Sequence, residues 1–172
     1  MPNVSRGKEF ETVIRKALLS VPGVSVIRLH DQTSGFYGSK NECDLIAYRY
    51  PYQYCLELKS VHGNTLPFAN ITEFQWQSLL QMSKVPGIRA GIICWWVDRD
   101  TTKYIPIETL EKMRENNSKS VSYHFNDLPM LEIHGKKKRV FYDYDLERFF
   151  AEVENVYSRV SESRECRGEE QR

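Results

Sequence analysis

Asp44, Glu57 and Lys59 are the residues of this chain whose types and spacing could do chemistry. They flank Arg49-Tyr50-Pro51-Tyr52-Gln53, where Pro51 favours a turn and has no N–H to give to a central ladder. The runs on either side, from Asp44 to Tyr48 and from Tyr54 to Lys59, read as two short strands. A hairpin centred near Tyr50-Pro51 sets Asp44 almost opposite Glu57, with Cβ atoms about 5 Å apart. Side chains alternate along a strand, so Glu57 and Lys59 share one face while Leu56 and Leu58 take the other. Two acids that close repel each other unless a cation sits between them. A small set of hard oxygen ligands suits Mg²⁺ or Mn²⁺, with water and a substrate phosphate in the remaining positions. Such a site supports phosphodiester hydrolysis, in which the metal activates a water and shields the charge of the transition state. Lys59 is placed to orient that water or to stabilise the developing charge. The plainer alternative is a surface hairpin with scattered charges.

At 172 residues the chain fits one domain, expected over residues 1–157, with a flexible tail over 158–172 where Ser, Glu, Arg and Gly dominate. Hydrophobic residues at 41% and charged residues at 27% give an ordinary globular balance. A formal net charge of only +1 supplies no global basic field, so contact with nucleic acid must come from local patches. Two candidates are Arg6 and Lys8 near the start, and the run Lys136, Lys137, Lys138 and Arg139 after Gly135. Either could equally be a solvated end or turn. The cysteines Cys43, Cys55, Cys94 and Cys166 show no C-x-x-C spacing; Cys55 and Cys94 lie in apolar runs as small buried hydrophobes. Reduced thiols, no signal peptide and no apolar stretch long enough to span a bilayer lead to the expectation of a cytoplasmic protein. The histidines His30, His62, His124 and His134 have no zinc-ligand spacing. His62 follows Lys59 by three residues, within reach of a phosphate, though an ordinary loop histidine explains it as well.

The elements that must position these residues follow from periodicity. Phe10, Val13, Ile14, Ala17 and Leu18 fall at helical spacing, which predicts a helix from Gly7 to Leu19 capped by Ser5, with Glu11 at the edge of the apolar stripe. A strand is predicted from Val24 to Leu29, then a polar loop from His30 to Asn41, then the hairpin. The stretch from Val61 to Phe68 reads as loop. Asn70 and Glu73 form a capping box for a helix that carries Gln75, Trp76, Leu79, Leu80 and Met82 and ends near Lys84. The apolar run from Arg89 to Val97 reads as a central strand covered on both faces, with Trp95 and Trp96 as core. Further strands are predicted around Lys103 to Ile107, Val121 to Phe125, Met130 to Ile133 and Val140 to Tyr142, with a turn over His134 to Lys136. Helices are predicted from Glu108 to Asn116 and from Asp145 to Val156. The fold class is α/β: a mixed sheet flanked by helices.

This order of elements resembles the PD-(D/E)XK nuclease superfamily, with its restriction-endonuclease-like core. Asp44 stands for the family aspartate, Glu57-Leu58-Lys59 for the (D/E)-x-K and Glu11 for the acid on the first helix, while Cys43 holds the place of the usual proline. Within it the chain is similar to RecU-type Holliday junction resolvases, through Ser5-Arg6-Gly7 followed by Glu11, the Asp44-to-Glu57 spacing, and Thr65-Leu66-Pro67-Phe68 leading to Asn70 and Gln75. That likeness covers roughly residues 5 to 107. It implies a Mg²⁺-dependent homodimer (Mn²⁺ also serving) that nicks four-way DNA junctions in recombination and repair. It implies metal ligation by Asp44, Glu57 and the Leu58 carbonyl, a water held by Lys59, a water or second metal on Glu11, and Gln75 orienting Lys59 or the phosphate. RecU proteins carry a long stalk before the catalytic aspartate; here the interval is the loop holding Gly35, Phe36, Tyr37 and Gly38. Two alternatives share the same residues: an endonuclease for another DNA class, restriction-like or replication-linked, and a DNA-binding relative that has lost the chemistry.

Overall fold

In chain order the elements are α1 (Asn3–Leu19), β1 (Ser25–Arg28), β2 (Leu45–Arg49), β3 (Tyr52–Val61), β4 (Thr65–Pro67), α2 (Glu73–Ser83), β5 (Ile88–Trp96), β6 (Thr101–Pro106), α3 (Ile107–Glu115), β7 (Ser120–Ser122), β8 (Leu131–Glu132), β9 (Gly135–Lys137), β10 (Tyr142–Tyr144) and α4 (Leu146–Glu169). They come from a computed structural model that describes residues 3–29 and 41–169. The loop residues Gly35, Phe36, Tyr37 and Gly38 therefore lie outside the described residues. Six strands form one mixed sheet in the order β1-β2-β3-β5-β6-β8. The central pair β3 and β5 run parallel, and the other neighbours are antiparallel. No helix among the described residues is long and apolar enough to cross a membrane.

The sheet is covered on both faces, which is why its middle strands read as near-continuous apolar runs. On one side Phe10, Ile14 and Leu18 of α1 and Phe149, Phe150 and Val153 of α4 bury Leu45, Tyr54 and Leu56. On the other, Trp76 and Leu79 of α2 and Leu110 and Met113 of α3 bury Cys55, Ala90, Ile92 and Cys94. Trp95 and Trp96 are fully enclosed, one in each core. Gly91 is fixed by a close approach. A Cβ there would meet the Ile105 carbonyl oxygen at 2.5 Å and the Tyr104 ring at 2.7 Å. Cys43, Cys55 and Cys94 are buried and unoxidised.

Several boundaries differ from the sequence reading. The helix α1 begins at Asn3, so Ser5 sits inside it and does not cap it. The segment read as loop contains β4, whose Leu66 pairs with Val121 of β7 in a separate two-stranded ribbon. Three residues ending in a proline carry too little alternation to announce a strand. The cap of α2 is Thr72, not Asn70: Thr72 Oγ1 accepts from the Gln75 N–H and Gln75 Oε1 from the Thr72 N–H. Two overlapping capping boxes were available, since Gln serves at the third helical position as well as Glu. Ile71, buried between them in extended backbone, decides for the later one. Lys136 and Lys137 lie on β9, paired with β10, rather than in the turn. Finally α4 runs on past Val156 to Glu169, with Val156, Tyr157 and Val160 buried.

Candidate active site

The hairpin of β2 and β3 sets the geometry. Tyr50-Pro51, joined by a cis peptide, forms a two-residue turn, and the ladder from Arg49↔Tyr52 to Leu45↔Leu56 fixes the register. Asp44 continues it: its N–H donates to the Leu56 carbonyl at 3.1 Å, which sets it beside Glu57. The Asp44 Oδ2 then accepts the Leu58 N–H at 2.8 Å, a backbone anchor for this carboxylate. By strand alternation Glu57 and Lys59 share the face of Cys55 and Val61, toward α2, while Leu56 and Leu58 belong to the opposite core.

Glu57 is only 2% exposed, on the strand face it shares with Cys55, Lys59 and Val61. Its Oε1 accepts from Lys59 Nζ at 2.8 Å and from Gln75 Nε2 at 2.6 Å. Its Oε2 is buried with no hydrogen-bond partner among the described residues. Burial first, then the neighbouring Asp44 charge, pushes the Glu57 carboxyl up to about 7, although Lys59 and Gln75 pull the other way. An unpartnered buried carboxylate oxygen beside a second carboxylate is costly unless a cation neutralises both. No group of three or more His, Cys, Asp or Glu able to hold a metal occurs among the described residues. A carboxylate pair completed by backbone and water is how Mg²⁺ is usually held. The residues present fit such an ion.

Gln75 reaches Glu57 because of its place in the helix. The capping interaction with Thr72 fixes its side-chain oxygen, which turns its amide nitrogen onto Glu57. The site therefore joins Asp44, Glu57, Lys59 and Gln75. Glu11 is held differently: both of its oxygens engage Arg28 of β1, the second at 3.1 Å. Arg6 in α1 meets His62, just past β3, with Nη1 at 3.1 Å from His62 Nε2, while Lys8 is exposed on the same helix. In the basic run, Lys137 pairs with Asp100, and Lys138 with Asp143 at 3.2 Å. Lys136 and Arg139 are exposed. Sequence reasoning missed Lys103, 5% exposed on β6, whose register through Cys94 puts it in one row with Lys59. Its ammonium reaches Asn126 Oδ1 at 2.9 Å, and burial holds its pKa below the ordinary lysine range. A lysine directly before Tyr104-Ile105 was the available signal.

The family model described as Recombination protein U matches residues 5–145. The chain belongs to the RecU family. The match runs past the 5-to-107 stretch that carried the resemblance and takes in every element from the first helix through β10. Among solved structures, the RecU-family chain is similar to Hjc, a Holliday junction resolvase of the archaeal hyperthermophile Archaeoglobus fulgidus. Identity is 19% and the TM-score 0.44, over 60% of this chain and 75% of that one. A search of curated proteins finds no match.

Proposed function

We propose that this RecU-family chain is a metal-dependent Holliday junction resolvase, a nuclease of DNA recombination and repair, acting as a homodimer in the cytoplasm. The observation that carries the reading is the buried Glu57, with one oxygen unpartnered and its pKa raised beside Asp44. Asp44, Glu57 and the Leu58 carbonyl would hold Mg²⁺ or Mn²⁺, which supplies an acidified water and charge for the phosphodiester transition state. Gln75 fixes Oε1 of Glu57 so that the carboxylate keeps one orientation. Lys59, on the same oxygen, orients the attacking water and offsets charge on the phosphate. Glu11 takes up a water or a second ion only when Arg28 releases it. Arg6, Lys8, Lys136, Lys137, Lys138 and Arg139 meet the DNA backbone, which positions the duplex arms without reading sequence. The nuclease unit spans residues 1–157, and among the described residues none beyond 157 joins the site. Two symmetric nicks call for two copies about a two-fold axis.

A second reading, a nuclease for another DNA structure, is favoured by the short interval between β1 and β2, where RecU-type proteins carry their stalk. A cleavage panel separates the two: mobile four-way junction, linear duplex, flaps and single strands, each with and without Mg²⁺. The expected result is paired nicks in the junction with metal, and loss of at least about 10³-fold in rate for Asp44→Asn with DNA binding retained. Full activity in Asp44→Asn, or preference for linear duplex, overturns the assignment.

A further inference from the structure

Beyond the carboxylate site, β3 leads into a polar cleft of about 320 Å³ lined by Arg6, Ser60, His62, Thr65 and Asn70 among others, with no acid in its lining among the described residues. Hydroxyls, an amide and a guanidinium form a lining that suits an anion. His62 lies three residues past Lys59, about 10 Å along extended chain and so about three nucleotides of axial rise. A network stands behind the guanidinium. Arg6 Nη1 donates to His62 Nε2 at 3.1 Å, so the imidazole carries its proton on Nδ1 and donates it to Asp98 Oδ1 at 2.9 Å. Asp98 lies in the turn after β5, and its Oδ2 accepts the Gly63 N–H at 2.7 Å. Gly63, at φ +80°, adopts the left-handed backbone that a side chain would oppose. The Gly63 N–H and then His62 hold the Asp98 carboxyl below the usual range, so the anchor stays charged. The network thus joins the first turn of α1 to the ends of two central strands.

We propose that the Arg6 cleft binds a DNA backbone phosphate about three nucleotides from the scissile one, and that His62 and Asp98 are positioning residues that hold the Arg6 guanidinium toward it. A guanidinium has five N–H donors and His62 takes one of them. Fixing a long side chain before the phosphate arrives spares the rotamer entropy of ordering it on binding. This rests on the reading of the chain as a DNA nuclease, and it names how one subsite of that nuclease is built.

The test is the affinity of the metal-free chain for four-way junction, duplex and single strand as a function of NaCl concentration. The proteins compared are wild type, Arg6→Ala, His62→Ala, His62→Gln, Asp98→Asn and the Arg6→Ala/His62→Ala double variant, with circular dichroism to confirm folding. One lost phosphate contact lowers the salt slope by about 0.9 and affinity about tenfold. The expected result is that loss in Arg6→Ala, most of it in His62→Ala and Asp98→Asn, and no further loss in the double variant. His62→Gln keeps one donor and one acceptor and restores the slope. A merely structural tie would leave the slope unchanged. An unchanged slope in His62→Ala, full additivity in the double variant, failure of His62→Gln to rescue, or no binding to any DNA overturns the proposal. The slope is read on whichever DNA binds, so absence of cleavage sinks the nuclease reading without deciding this one.

Discussion

At the scale of single residues, Glu57 carries the account. Its carboxyl is raised from 4.5 to about 7 in the folded chain, because burial and the Asp44 charge disfavour the ionised form. Between those values the unfolded chain has given up its proton and the folded chain still binds one. Metal-free stability is therefore highest below about pH 4.5 on this group's account, falls as pH rises, and has lost the whole contribution above about 7, a difference on the order of 3 kcal/mol. Denaturant titrations from pH 5 to 8 should show that decline in metal-free wild type, and a much flatter line in Glu57→Gln. A variant as pH-sensitive as wild type would place the cost elsewhere. The opposition of Asp44 and Glu57 was legible in the sequence because Pro51 marks the turn, and a two-residue turn leaves the register one choice. The unpartnered Oε2 was not legible, since it depends on what α2 brings across the sheet. Nor was the His62–Asp98 contact, which joins residues 36 positions apart through the ends of two strands.

Among the elements, α2 does two jobs with one residue. Gln75 closes the helix start on Thr72 and holds Glu57, so the helix cap and the site geometry depend on each other. Thr72→Ala should cost about 1 kcal/mol in chemical denaturation, while Asn70→Ala, exposed in the preceding turn, should stay within about 0.5 kcal/mol. The reverse order would return the cap to Asn70. The sequence pointed to a capping box and to a helix of nearly the right extent, but local pattern could not choose between two boxes two residues apart. The choice came from burying Ile71, a tertiary matter. The strand β4 was hidden for a similar reason: its identity lies in pairing with β7, far along the chain, and not in its own three residues.

For the whole molecule, the sheet works as a partition with a core on each side. The apolar runs of β3 and β5 and the helical stripes of α1, α2 and α4 made that architecture readable, because each burial face repeats at its own period. Composition misled only near the end, where polar residues obscured the continuing stripe of Val153, Tyr157 and Val160. Beyond that stripe, Tyr157 bonds the Tyr104 hydroxyl, and Glu154 pairs with Arg89 of β5 at 2.7 Å. Val160→Asp should therefore lower unfolding free energy by about 2 kcal/mol, with Asn155→Asp on the exposed side nearly neutral. Equal stability of the two would mean that the last turns of α4 do not pack in solution. Both cores serve to present a hairpin whose acids meet a helix start, and the central claim is that this meeting point takes a divalent ion. Calorimetric titration of Mn²⁺ into the metal-free chain at pH 8 tests it most directly. The account predicts a binding event in wild type that disappears in Glu57→Gln, and an undiminished binding heat in that variant would contradict it.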